Sequence, residues 1–292
     1  MQGVLYYISI PFIYLLSLLP FSVLYLLSDG VYLILYYAVG YRKKVVVQNL
    51  KNSFPEKSDQ EILIITKAFY RYFCDLFLET FKTLTISRAT MLKRCTLDPS
   101  AKACFNELAQ NQQSIIIVMG HNGNWEWAGN TFSLCCTHQL YVIYHPLENK
   151  YFDGLIRGMR ERFGTRLIAM KNTMRDMISH RSELTATAFI ADQSPSPDKA
   201  FWVSFLNQDT PVFMGTEKIA KKLQFPIVYV SVKKVKRGYY NLLARILPAS
   251  ADSVDGTITT AHTRQLESDI INQPETWLWS HRRWKHKRVT TQ

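Results

Sequence analysis

The first forty residues are poor in charge: between Val4 and Val39 the only charged side chain is Asp29. No Lys or Arg precedes this apolar run, which argues against the basic start of a secretory signal, and the run is too long for one. Acids are also scarce along the whole chain, 23 against 35 Lys and Arg in 292 residues, a formal charge of +12. Such an excess points to a polyanionic partner: nucleic acid, an anionic membrane surface or a phosphorylated substrate. There are only five cysteines and no CxxC pair. That excludes a regular disulfide framework and the common zinc spacings, and suits a reducing compartment in which buried Cys acts as a small hydrophobe. No HExxH and no phosphate-loop glycine spacing occurs, and no internal repeat or low-complexity tract is visible.

The stretch Val4 to Leu27 is 24 residues of Leu, Ile, Tyr, Phe, Val, Ser and two prolines. At 1.5 Å per residue it reaches about 36 Å, enough for a hydrocarbon core of about 30 Å. Pro11 and Pro20 kink a helix in lipid without forbidding it. Ser28-Asp29-Gly30 reads as a break, and Val31 to Val39 is too short to span alone. A helix lying in the interface needs a polar face, and this run shows little of one. A membrane anchor over 1–40, with an N-terminal transmembrane helix, is therefore expected. Tyr41-Arg42-Lys43-Lys44 follows at once, with Lys51 behind. By the positive-inside rule this side, and the rest of the chain, lies in the cytoplasm against anionic head groups.

Residues 41–112 read as a helical lead-in. Val45 to Leu50 leads to a stop at Phe54-Pro55, and Ser58-Asp59-Gln60-Glu61 opens a helix running to about Leu84. From 113 onward the texture changes. Ser114–Met119 is a short continuous apolar run of β-branched character, a buried strand. Further strands are expected at 140–144, 166–170, 185–191, 227–232 and 239–246. Helices are expected between them at 125–135, 152–163, 173–179, 214–223 and 262–272. This alternation predicts an α/β core over 113–292 with a mixed, mostly parallel sheet flanked by helices, and 41–292 as one catalytic domain.

The strand 114–119 ends in Gly120, and His121 follows. Asn122-Gly123-Asn124 is turn chemistry, and Trp125-Glu126 opens a helix. In α/β sheets, sites form where strands give way to helices at their carboxyl ends. A His at the strand end and a Glu on the first helical turn can face each other. The carboxylate of Glu126 would then hold one nitrogen of His121 and leave the other to take a proton from a hydroxyl. The bland alternative is a turn histidine and a Glu at a helix N-terminus.

His121 to Glu126 resembles the H-x4-[D/E] motif of bacterial acyltransferases, specifically the lauroyl/myristoyl acyltransferases of lipid A biosynthesis within the lysophospholipid acyltransferase superfamily. Five further segments, in family order, carry the same resemblance. Asn49–Glu56 is similar to an early "NL…FPE" element. Tyr144–Asp153, continued by Arg157, Arg160, Arg162 and Gly164, is similar to a "YRP…N…D…R…G" stretch. Ala191-Asp192-Gln193 matches an "ADQ" element. Phe205–Ala220, with Pro211, Phe213, Gly215 and Thr216, and the ending Pro274–Lys285, "PE.W.W.HRR.K", complete the set.

The resemblance implies a glycerolipid-acyltransferase-like fold and acyl transfer from acyl carrier protein to a hydroxyl of a lipid A precursor at the inner membrane, with no cofactor and no metal. It implies His121 as general base assisted by Glu126, and Arg160 at the oxyanion or a substrate phosphate, with Arg157 and Arg162 as neighbours able to take that place. Asn124, Asp192 and Gln193 are further substrate-contact candidates; Asp192 can equally support the site from behind or cap the Ser-Pro turn. His145 stands where the family pattern has arginine, which leaves an amino-acid-containing lipid or a lysophospholipid as an alternative acceptor. The ending mixes Trp277, Trp279 and Trp284 with Arg282, Arg283, Lys285, Lys287 and Arg288. Single-stranded nucleic acid and a membrane interface both fit that mixture, and the apolar N-terminus favours the membrane. No nucleic acid is expected as a partner.

Overall fold

The computed structural model describes residues 2–248 and 253–288. The chain opens with α1 (Gln2–Leu18) and α2 (Phe21–Leu33), the latter running into a π-helical turn at Ile34–Val39. The break falls at Leu19-Pro20, not at Ser28–Gly30. Proline lacks the N–H that would continue α1, and the freed carbonyls of Ser17 and Leu19 each accept from Lys82 Nζ at 2.7 Å. Gly30 lies inside α2.

Then follow α3 (Lys43–Ser53), α4 (Asp59–Lys82) and α5 (Arg88–Arg94). The N-terminus of α4 carries the expected capping box, with the Ser58 side chain accepting from the Glu61 N–H and the Glu61 carboxylate returning to the Ser58 N–H. This 24-residue helix is the spine on which α2 lies antiparallel, pairing Tyr25 with Glu79 and Ser28 with Asp75.

The sheet comprises β1 (Cys95–Leu97), β2 (Ile115–Met119), β3 (Gln139–Tyr144), β4 (Arg166–Ala169), β5 (Thr185–Ile190), β8 (Ile227–Lys236) and β9 (Tyr239–Ile246). Its order is β1-β9-β8-β2-β5-β3-β4. All neighbours are parallel except the β8–β9 hairpin. The helices α6 (Pro99–Gln110), α7 (Trp125–Cys135), α8 (Lys150–Glu161), α9 (Thr173–Ser179), α10 (Gly215–Leu223) and α11 (Thr257–Asn272) flank it. The architecture is thus the mixed, mostly parallel sheet that the strand–helix alternation predicts. Two elements go beyond that reading. β1 enters the sheet from within the segment 41–112, and β6 (Phe201–Phe205) with β7 (Gln208–Val212) forms a separate antiparallel hairpin.

β2 is buried along its whole length, as its unbroken apolar sequence requires. From β2 the chain passes through α7 to β3, on the far side of β5. From β5 it ultimately reaches β8, on the far side of β2. The carboxyl ends of the adjacent strands β2 and β5 therefore flank a switch point, the place where open α/β sheets leave a crevice.

The C-terminal Trp residues do not sit at a membrane interface. Trp277 and Trp279 are buried in the main core with Phe54 and Phe205, and Trp284 packs half-buried beside them. Each indole N–H has an internal acceptor: Asp192 for Trp277, the Pro274 carbonyl for Trp279 and the Thr210 hydroxyl for Trp284. Satisfying these donors inside removes any need for head-group depth. Arg282, Lys285, Lys287 and Arg288 remain exposed, and residues 289–292 of the basic tail lie outside the described residues.

Candidate active site

β2 and β5 pair in parallel with Met119 opposite Ile190. Two residues further along each strand come His121 and Asp192, so the register itself sets them side by side. Asp192 Oδ1 lies 2.6 Å from His121 Nδ1, and Asp192 Oδ2 accepts from the His121 backbone N–H at 2.8 Å. Oδ2 also accepts from the Trp277 indole at 2.8 Å. Burial alone would raise the Asp192 carboxyl. The His121 ring, the His121 N–H and the indole outweigh it and hold the carboxyl well below the usual carboxylate range. Asp192 is only 6% exposed and contacts the histidine, not the cavity. The carboxylate that holds the His121 ring is therefore Asp192, in place of the expected Glu126.

The turn after His121 is tightly specified. Gly123 has φ +61° and sits against β8, where an added Cβ would come within 2.1 Å of the Val232 carbonyl oxygen. Only glycine meets both conditions. Asn124 caps α7, accepting from the Trp127 N–H at 2.9 Å, and donates to Glu79 Oε2 at 2.7 Å. Its side chain is fully buried, shapes the turn and is not among the residues that line the cavity beside His121.

Glu126, on the first turn of α7, receives a bidentate pair from Arg160 of α8: Nε to Oε2 at 2.9 Å and Nη2 to Oε1 at 2.5 Å. Burial would lower the Arg160 guanidinium, and the Glu126 carboxylate more than offsets it. The fork geometry fixes the guanidinium plane and leaves N–H donors over. Of the three candidate arginines only Arg160 lines the cavity. Arg157 pairs with Glu161 on the exposed side of α8, and Arg162 donates to the Thr83 carbonyl.

His121, Glu126 and Arg160 line one cavity of about 380 Å³, with Trp125, His145, Asp153 and Gln193 among its other walls. The His121 ring meets Trp125 edge to face, 4.9 Å between centroids. Below it an apolar crevice of about 40 Å³ runs between α7 and the sheet, reaching Phe132, Leu140 and Ala188. Trp125, Gly129, Val142 and Ile190 belong to both walls, so the crevice adjoins the cavity. Among the described residues no group of three or more His, Cys, Asp or Glu side chains is placed to hold a metal ion.

Sequence reasoning missed Glu79. It is fully buried on α4, accepting from Tyr25, Tyr240 and Asn124 at 2.7–2.8 Å. Burial pushes its carboxyl up to about 7 against those hydrogen bonds, which favour the ionised form. An acid one α-helical turn beyond Asp75 on an otherwise apolar stripe was the available signal.

A model of the family described as bacterial lipid A biosynthesis acyltransferase matches residues 2–286. The chain belongs to this family. Similar members include the lipid A biosynthesis lauroyltransferase of Escherichia coli K12, 23% identical over 283 residues that take in 96% of this chain and 90% of that protein. The lipid A biosynthesis myristoyltransferase of the same organism is 21% identical over 82% of this chain and 73% of its own length. A lipid A biosynthesis acyltransferase of Haemophilus influenzae is 24% identical over 178 residues, and there the match spans about half, 54%, of the relative's length. The family match takes in all six motif segments, from Asn49–Glu56 to Pro274–Lys285.

Proposed function

We propose that the protein transfers a fatty acyl chain from the thioester of acyl carrier protein to a hydroxyl of a lipid A precursor, at the cytoplasmic face of the inner membrane. The observation that carries this reading is His121, gripped at Nδ1 by Asp192 while its ring faces a cavity that also holds the Glu126–Arg160 pair. With Nδ1–H donated to a carboxylate, Nε2 keeps its lone pair and serves as a base. It takes the proton of the acceptor hydroxyl as that oxygen attacks the thioester carbonyl. The tetrahedral intermediate then collapses, the C–S bond breaks, and the thiolate leaves with the proton from His121.

The negative charge on the intermediate needs a fixed donor. Arg160, aimed by Glu126, supplies one in the same cavity, or binds a phosphate of the acceptor. Glu126 thus acts on Arg160, and Asp192 on His121. Gln193, exposed on the cavity wall, is the remaining substrate-contact candidate. The apolar crevice beside Gly129 receives the acyl chain. The charge of +12 suits both an acidic carrier protein and a phosphorylated glycolipid.

The test is acyl transfer from acyl carrier protein to a phosphorylated lipid A precursor by membranes carrying the wild type or His121→Ala. Loss of about 10²-fold or more supports the mechanism. Turnover near wild type in His121→Ala would sink it. Mass spectrometry of the product separates this acceptor from an amino-acid-containing lipid or a lysophospholipid.

A further inference from the structure

The apolar run that is long enough to cross a bilayer is attached to the catalytic domain along its length. On α1, Tyr6, Ile10 and Ile13 pack on Phe152, Leu155 and Met159 of α8. On α2 and its π-helical extension, Leu24, Ser28, Tyr32 and Tyr36 are buried against the domain. Midway along Phe21–Val39, Asp29 receives a bidentate pair from Arg237 at the tip of the β8–β9 hairpin. Arg237 holds Asp75 of α4 in the same grip, at 2.7 and 2.9 Å. Further along, the Arg71 guanidinium lies 4.9 Å over the Tyr32 ring, and the Lys43 ammonium 3.9 Å over Tyr36.

These contacts conflict with a crossing. Phe21–Val39 is about 28 Å long, so a spanning pose would put Asp29 near the bilayer centre. Arg237, Asp75, Arg71 and the hairpin residues Lys233, Lys234 and Lys236 would have to follow it. Charged side chains are costly at that depth, and irregular backbone facing lipid does not occur there. The other face of the same helices is different. Leu5, Ile8, Phe12, Leu15, Leu26 and Ile34 are between 59% and 72% exposed. More than half of the large exposed hydrophobics among the described residues fall within 4–39. So large an exposed apolar patch on a folded domain marks an interaction surface.

We propose that α1 and α2 do not cross the membrane but lie flat in one leaflet, as a two-helix platform. The outer face enters the lipid and the inner face carries the catalytic domain. The polar side that an interfacial helix needs is supplied by the domain itself, which is why neither helix shows it in its own sequence. Arg42 and Lys44, exposed just after the platform, meet anionic head groups. The occupant is therefore an anionic phospholipid leaflet. The arrangement also serves the site. α8 carries α1 through Phe152 and Leu155 and lines the cavity through Asp153, Ile156 and Arg160. The cavity thus lies about one helix diameter, ~10 Å, from the platform, and a lipid acceptor reaches it without leaving the leaflet.

This inference rests on the membrane location within the proposed function. It is tested with the full chain in vesicles of phosphatidylethanolamine and phosphatidylglycerol. Single cysteines at Ile8, Phe12, Leu26, Gly30 and Tyr37 carry a spin label, and the signal from the parent's own cysteines is subtracted. Depth is read from collisions with oxygen against collisions with a water-soluble nickel chelate. All five labels should sit at one shallow depth, about 5–10 Å below the head groups. A gradient along α2 that peaks at Gly30 and returns to head-group depth at its two ends overturns the inference. If acyl transfer persists with that gradient, the proposed reaction stands. Five labels in water overturn the inference and the membrane location together.

Discussion

Nδ1 of His121 lies 2.6 Å from Oδ1 of Asp192, a residue 71 positions further along the chain. Their meeting follows from the register of β2 and β5. The pair makes a prediction that separates Asp192 from a merely structural acid. Asp192→Asn keeps the shape but removes the charge that fixes the His121 tautomer. Acyl transfer should fall by about 10²- to 10⁴-fold, comparable to His121→Ala. The double variant should be no worse than the worse single one, because the two residues act as a unit. Circular dichroism and the melting temperature of Asp192→Asn check that the loss is not unfolding.

The Glu126–Arg160 pair makes a different demand. Lys at 160 keeps a positive charge but cannot make the two-pronged contact with Glu126. Arg160→Lys should therefore lose most of the activity lost by Arg160→Ala. Glu126→Gln should act by loosening Arg160, so the kcat effect of Arg160→Ala should shrink in its presence. A double-mutant cycle on kcat/KM measures this coupling. Additive effects would mean that Glu126 works independently of Arg160.

Much of this was legible in sequence, and the limits are physical. Strands such as Ile115–Met119 and Ile227–Val232 announce themselves because both faces are buried and the apolar run is unbroken. His121 stood out because it follows such a strand directly. Its partner did not, because pairing across a parallel sheet depends on strand order, and nothing local to Asp192 says that β5 lies beside β2. Nearness in sequence favoured Glu126, five residues from His121, but the first turn of α7 turns it toward α8. The tryptophans near 277 are ambiguous in sequence for a related reason. An amphipathic ring looks alike in sequence at a membrane interface or in a core that holds an acceptor for its N–H. The β6–β7 hairpin gives little strand signal, its strands interrupted by Ser204, Asp209 and Pro211.

Gly129 lines both the cavity and the apolar crevice, on the passage the proposed acyl chain would take, and a Cβ there would meet only Leu140 Cδ2, at 3.8 Å. An alanine fits that space, whereas a longer side chain must project into the passage. Gly129→Leu should shorten the acyl chain that is transferred while leaving the attack geometry at His121 in place. The check is competition between acyl carrier proteins loaded with chains of different length, read by mass spectrometry of the product. A uniform fall for all chains would mean that the crevice does not receive the acyl tail.

Glu79 gives a prediction about stability instead of rate. Its carboxyl is pushed up to about 7 in the fold, from an ordinary value of 4.5. The folded state therefore holds this proton more tightly than the unfolded chain. The associated stability is complete below about pH 4.5 and is lost as the pH rises through about 7, a change on the order of 3 kcal/mol. Gln at this position is neutral at every pH. It keeps one oxygen for Asn124 and Tyr240, and the Tyr25 hydroxyl can turn to accept from its amide. Glu79→Gln should thus melt close to the wild type near pH 5 and progressively above it toward pH 8. Thermal melts of both proteins in detergent across that range measure the difference. A constant offset between the two curves would show that Glu79 carries no such proton, and that its three hydrogen bonds keep it ionised despite complete burial.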